Sequence, residues 1–154
     1  MPTVAKIPET ETAAPLRALI GRLSRHLRRA AAGTAAGLTP TGVSVLLAVV
    51  REGPTRLSEI AAAEGINPTM LSRVVSDLVE AGLVERTSDE RDRRTAWVTA
   101  TAAGRRLSER MRRERTDALA HALTRLEDRD RRQIENALAA LERLAEELGQ
   151  GRRP

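Results

Sequence analysis

The chain has 154 residues, 41% of them hydrophobic, and a formal net charge of +5. It lacks cysteine, which excludes disulfides, thiolate metal sites and thiol redox sensing. Trp97 is its only aromatic residue, so a core must be built from Leu, Val, Ile and Ala; such a core is thin for a monomer and favours burial between subunits. All but Lys6 of the 26 basic residues are arginine, a balance that permits an anionic partner without demanding one.

Residues 1–12 hold two prolines with several Thr and Glu, and read as a flexible arm. They show neither the basic start nor the apolar stretch of a signal peptide. No run in the chain approaches the roughly 18 apolar residues of a membrane span. The expected setting is therefore cytoplasmic, with no membrane partner.

From about Ala13 to Ala32, Leu16, Ile20, Leu23, Leu27 and Ala30 step by four and three, the spacing of one helix face. Gly33 and Gly37 end that segment, and residues 13–37 are expected to serve dimerisation. Thr39 and Pro40 are an N-cap and a first-turn proline for the next helix. Its apolar run is nearly continuous, so burial on most sides is expected, up to the stop at Gly53-Pro54. Arg56-Leu57 suits a very short strand. Ser58 is placed to cap a short helix ending at Gly65, and Asn67-Pro68 repeats the cap-plus-proline signal.

In the helix that follows, Leu71, Val74, Val75, Leu78 and Val79 form the inward stripe. Thr69, Ser72, Arg73, Ser76 and Asp77 fall on the opposite face, which reads as free of large apolar side chains, and Gly82 closes the helix. Two helices joined by a tight Gly-containing turn make a helix-turn-helix candidate. Beyond Gly82, "LVERT" and "TAWVTA" look extended and flank the charged segment "SDERDRR", which makes a β-hairpin with a charged tip. The expected fold is mainly α with a small β-hairpin, a winged helix-turn-helix over residues 38–100. Thr101 caps a long helix of about 25 residues, roughly 37 Å at 1.5 Å per residue. After the polar break "EDRD", Ile134, Leu138, Leu141, Ala145 and Leu148 again step by four and three. Residues 101–148 are read as further dimerisation helices, joined in space with the first, and 149–154 as a tail.

The order of elements and several strings resemble the MarR (multiple antibiotic resistance regulator) family of bacterial transcription factors over about residues 13–148. The family pattern Leu-x-x-x-Gly-Leu-(Ile/Val)-x-Arg is matched by Leu78, Gly82, Leu83, Val84 and Arg86. Asp-x-x-Asp-Arg-Arg is matched by Asp89, Asp92, Arg93 and Arg94, and Leu-Thr-x-x-Gly by Thr101 and Gly104. Ala100 stands where the last string has Leu, a smaller side chain that would loosen packing at the strand end. The resemblance implies a homodimer that binds pseudo-palindromic double-stranded DNA. It also implies repressor action and release by a small, often aromatic or phenolic, ligand held between the two regions of the subunit.

Each candidate site has a plainer counterpart. Pro68, Thr69, Ser72, Arg73 and Ser76 suit the exposed face of a DNA-recognition helix, with Arg73 the candidate for guanine O6 and N7; they also suit a solvated helix face. In the wing, Arg94 is assigned to the minor groove, Asp92 to bracing it, and Arg91 and Arg93 to phosphates. The alternative there is a charged loop whose ion pairs are worth about 0–1 kcal/mol each. Arg86 reaches a phosphate or braces the hairpin through Asp89. His26 and His121 are the only imidazoles; both are read as solvated or pocket-lining, His26 being the candidate for the ligand pocket, and no metal site or cofactor is expected. There is no phosphate-binding loop, nucleophile elbow or catalytic triad string, so no enzyme is expected. A winged-helix protein-interaction module that does not bind DNA is the reading from another class.

Overall fold

The computed structural model describes residues 9–35, 37–88 and 96–150. The chain divides into two units, Met1–Arg115 and Thr116–Pro154. The first begins with helix α1, Glu9–Ala30, four residues earlier than the apolar spacing alone indicates. Pro15 lies inside it. Of the expected stripe, Leu16 and Leu27 are half-buried, whereas Ile20, Leu23 and Ala30 stay exposed.

Helix α2, Pro40–Glu52, starts as its sequence dictates. Thr39 is extended, its side chain accepts the amide of Gly42 at 3.0 Å, and Pro40 loses no hydrogen bond by lacking an N–H there. Val45, Leu46 and Val49 are fully buried and form the centre of the core. Gly53 at φ 77° turns the chain into β1, Thr55–Arg56, one residue earlier than expected.

Helix α3, Leu57–Glu64, differs from expectation in its cap. The N-cap position falls on Arg56 and not on Ser58. Glu59 reaches back, its carboxylate accepting the Arg56 amide and the Thr55 hydroxyl, each at 3.1 Å. These two bonds, the backbone one first, hold the Glu59 carboxyl below the usual glutamate range. Because the strand residues Thr55 and Arg56 feed directly into the helix, the acid at the third helical position meets the last strand amide and a serine cap is redundant.

Helix α4 is Pro68–Glu80 and α5 is Ala102–Thr124. Strands β2, Val84–Ser88, and β3, Ala96–Ala100, pair antiparallel, and β1 adds to the far side of β3, so the order is β1-β3-β2. The expected two-stranded hairpin is therefore part of a three-stranded sheet. Its register places Val84 opposite Ala100 and Arg56 opposite Trp97. Val84, Val98 and Ala100 face the core together with Leu71, Val75 and Leu78 of α4 and with Met111 of α5. Ala100, despite its small size, is buried, and the Arg105 guanidinium donates to its carbonyl at 2.6 Å.

The second unit contains the end of α5 and helix α6, Asp128–Gln150. The polar stretch at 127–130, expected as a break, carries the start of α6: Asp128 and Asp130 sit in its first turn, where their charge complements the helix dipole, and Arg131 pairs with Asp128. No residue of α6 is buried. No helix among the described residues is long and apolar enough to cross a membrane.

Candidate nucleic-acid interface

Helix α4 is fixed at both ends. At its start the Asn67 side chain accepts the Thr69 amide at 2.9 Å, with Pro68 at the first helical position. At its end Gly82, at φ 68°, donates to the Val79 carbonyl and Leu83 donates to that of Leu78, both at 2.9 Å. This pair of bonds is a Schellman motif, which requires the left-handed conformation that glycine takes without steric cost.

The start of α5 is bound to this same turn. Thr101 donates its hydroxyl to the Gly82 carbonyl at 2.7 Å and its amide to that of Leu83 at 3.0 Å, while its hydroxyl oxygen accepts the Gly104 amide at 3.0 Å. A Cβ on Gly104 would lie 2.1 Å from the Leu83 carbonyl oxygen. Gly82, Leu83, Thr101 and Gly104, taken from two strings far apart in sequence, thus form one junction.

With its inner face held in the core, α4 exposes Pro68, Thr69, Arg73 and Ser76, and Ser72 is partly exposed. The Ser76 hydroxyl donates to the Ser72 carbonyl at 3.0 Å. Two apolar residues depart from the expected pattern. Met70 is 50% exposed on the flank of this face, so the face is not free of large apolar groups; Val79, expected inside, is also exposed. Both lie at the edges of the inward stripe, on opposite flanks of the helix.

Between the start of α4, the start of α3 and the sheet runs a groove of about 270 Å³. It is lined by Pro68 and Ser72 of α4, Ser58 of α3, and Arg56, Arg86 and Ala96 of the strands. Arg86, one of the expected contacts, is exposed here beside Pro68 and Ser72. Sequence reasoning missed Arg56. Its guanidinium carbon lies 5.1 Å from the centroid of the Trp97 ring, a cation–π stack. The available signal was an arginine beside the strand-forming Thr55, with the chain's one aromatic in a segment that could pair with it. The wing assignments to Arg91, Asp92, Arg93 and Arg94 lie outside the described residues, as does Asp89, the brace considered for Arg86.

The MarR family model matches residues 38–96. A solved structure from Pseudomonas aeruginosa, designated a transcriptional regulator, is 31% identical, with 94% of this chain and 98% of that one aligned and a TM-score of 0.75. The chain belongs to the MarR family. It is a transcriptional regulator of that family and not an enzyme. An HTH-type transcriptional regulator of Mycobacterium bovis is 29% identical over 115 residues, 75% of this chain and 79% of that protein. The chain aligns with only 48% of an HTH-type regulator of Bacillus subtilis, at 28% identity. Streptococcus pneumoniae FabT, crystallised in complex with DNA, has the same fold at 13% identity, with a TM-score of 0.66 over 89% of this chain and 99% of FabT.

The MarR-family chain also contains a cavity of about 310 Å³ in its first unit. Ala31, Leu38, Val43 and Leu47 give it apolar walls, and Arg28 and Arg115 supply cationic groups. The Nε of Arg115 is buried without a hydrogen-bond partner, as is the Oε2 of Glu114, whose Oε1 accepts the Thr34 hydroxyl. His26 is exposed on α1 and is not among the residues lining this cavity. Sequence periodicity could not find Arg115, because among the six arginines between 105 and 115 nothing local separates the one that turns inward.

Proposed function

We propose that this MarR-family regulator is a homodimeric repressor that reads double-stranded DNA with α4. The observation that carries this reading is the division of α4: Leu71, Val75 and Leu78 are locked in the core, while Thr69, Arg73 and Ser76 stand exposed between two capped ends. Rigid placement matters because base contacts discriminate only when donors meet base edges in fixed register. The DNA complex of FabT, a protein of the same fold, supports the assignment.

The dimer is supported by apolar surface that one chain leaves uncovered, Ile20 and Leu23 on α1 and Ile134, Leu138 and Leu141 on α6. A second copy would cover these faces and set two α4 helices at half-sites about one helical turn apart, roughly 34–36 Å. The cavity beside Arg28 and Arg115 suits a small apolar anion such as an aromatic acid, whose carboxylate would satisfy the unpartnered Arg115 Nε. Filling it would lower operator affinity without separating the subunits. The wing residues Arg91 and Arg93 are assigned to phosphates, Arg94 to the minor groove and Asp92 to bracing it.

Operator affinity tests the reading. Arg73→Ala removes a base contact and should weaken specific binding by roughly 1–3 kcal/mol while leaving non-specific binding nearly unchanged. Asp92→Ala removes a negative charge near DNA, so weaker binding in that variant means that it braces Arg94. Tighter binding would make the tip a solvated loop. The exposed apolar side chains of Met70 and Val79 are the features of α4 that favour a protein partner instead. Absence of any salt-dependent duplex binding would turn the assignment to that second reading.

A further inference from the structure

A helix seated in a major groove has the sugar–phosphate strands that border the groove along its flanks. On the α4 flank that faces the sheet lies the groove lined by Arg56, Ser58, Ser72 and Arg86. Its lining is chemically one-sided. It offers two guanidinium groups and two hydroxyls, with Leu57, Pro68 and Ala96 as apolar surface, and no carboxylate among the described residues. Glu59, the nearest acid in sequence to Arg56, is engaged with the Arg56 amide and the Thr55 hydroxyl, and the charge of Arg56 is only a minor part of what favours its ionised form.

The register gives the two arginines different directions of approach. Arg56 stands opposite Trp97 and Arg86 opposite Val98. Trp97 and Val98 are consecutive in β3 and point to opposite faces, so the arginines leave the sheet from opposite faces and meet the groove from two sides. Arg56 is also restrained, because its guanidinium lies over the Trp97 ring. A stacked guanidinium keeps its in-plane N–H donors available, and it has less conformational freedom to lose when an anion arrives.

We infer that this groove is a backbone-phosphate site, in which Arg56 and Arg86 hold the DNA strand bordering the major groove and Trp97 positions Arg56. The inference rests on α4 being the DNA-reading helix. A contact of this type fixes the register of the helix on the duplex and carries no sequence information itself. It therefore predicts behaviour unlike that of Arg73.

The experiment is affinity as a function of salt, for the full chain on an operator duplex and on a scrambled duplex. Arg56→Ala and Arg86→Ala should each weaken both duplexes by the same factor, and each should reduce the slope of log K against log salt by about 0.9 per bound subunit. Trp97→Leu should weaken binding with the slope kept, since Arg56 retains its charge, and Trp97→Phe should restore affinity. The chain has a single Trp and no Tyr. Emission on adding either duplex therefore reports on the surroundings of Trp97, and the part of the change owed to the Arg56 stack should be lost in Arg56→Ala. Unchanged slopes in both arginine variants, or losses confined to the operator, would overturn the phosphate assignment while leaving α4 as the reading helix. Failure of the wild-type chain to bind any duplex would overturn the parent reading and this one with it.

Discussion

Leu46 in α2 and Leu138 in α6 each lie on the apolar face of a helix, yet the first is fully buried and the second is 53% exposed. The difference runs through the two regions. Around Leu46 the chain closes on itself, with α2, α4 and the sheet burying one another's apolar faces. Along α6, Ile134, Leu138, Leu141 and Leu148 point to a surface that a single chain does not cover. Apolar periodicity states that a face will be buried, and it is silent on whether the burying surface belongs to the same molecule.

The contrast is most severely tested at Gly104, where the closed region leaves no room at all. A methyl there meets the Leu83 carbonyl oxygen at 2.1 Å. Gly104→Ala should destabilise the fold by about 3 kcal/mol or more, the upper part of the range for overpacking, seen as a shifted urea midpoint. A cost below about 1 kcal/mol would mean that α5 readily moves away from the α4 turn. Leu46→Ala should cost about 2–5 kcal/mol at any protein concentration. Leu138→Ala should instead weaken self-association, so that its effect on the melting temperature depends on concentration. If sedimentation shows the same dimer constant for Leu138→Ala and wild type, α6 is not the dimer contact.

Smaller effects probe the two helix starts of the closed region. Asn67→Ala removes the α4 cap and should cost about 1 kcal/mol, measurable as a midpoint shift in denaturant. Glu59 contributes through its charge, and its folded-state pKa lies below its ordinary value of 4.5. Its contribution is therefore present above that ordinary value and is lost as the pH falls through the lowered folded one. Glu59→Gln should flatten that part of the acid limb of stability against pH. An identical acid limb in wild type and variant would leave the cap with no ionic component.

What the sequence disclosed follows the range of the forces involved. Thr39-Pro40, Asn67-Pro68 and Thr101 are local signals; each bonds within three residues of itself and was legible without the fold. The start of α3 was not, because Glu59 gains its partners from a strand whose existence depends on pairing with β3. The extra turn at the front of α1 and the early start of α6 lack apolar anchors, so a reading based on apolar spacing passes over them. Within the interface, the exposed face of α4 could be read from a helical wheel. Arg56 could not, since its place beside Ser72 and Arg86 is set by three elements meeting. Met70 was passed over for a related reason: a wheel gives its angle, but only the path of the neighbouring elements shows that nothing covers it.

The junction of Gly82, Leu83, Thr101 and Gly104 has a mechanical consequence. Two hydrogen bonds and one close backbone approach join the turn that ends α4 to the first turn of α5. No slack remains there to absorb a displacement. The start of α5 is therefore clamped to the turn that ends α4. A tilt of α5 at this junction is passed to α4, so, with α4 as the proposed reading helix, DNA binding can be controlled through residues that touch no base.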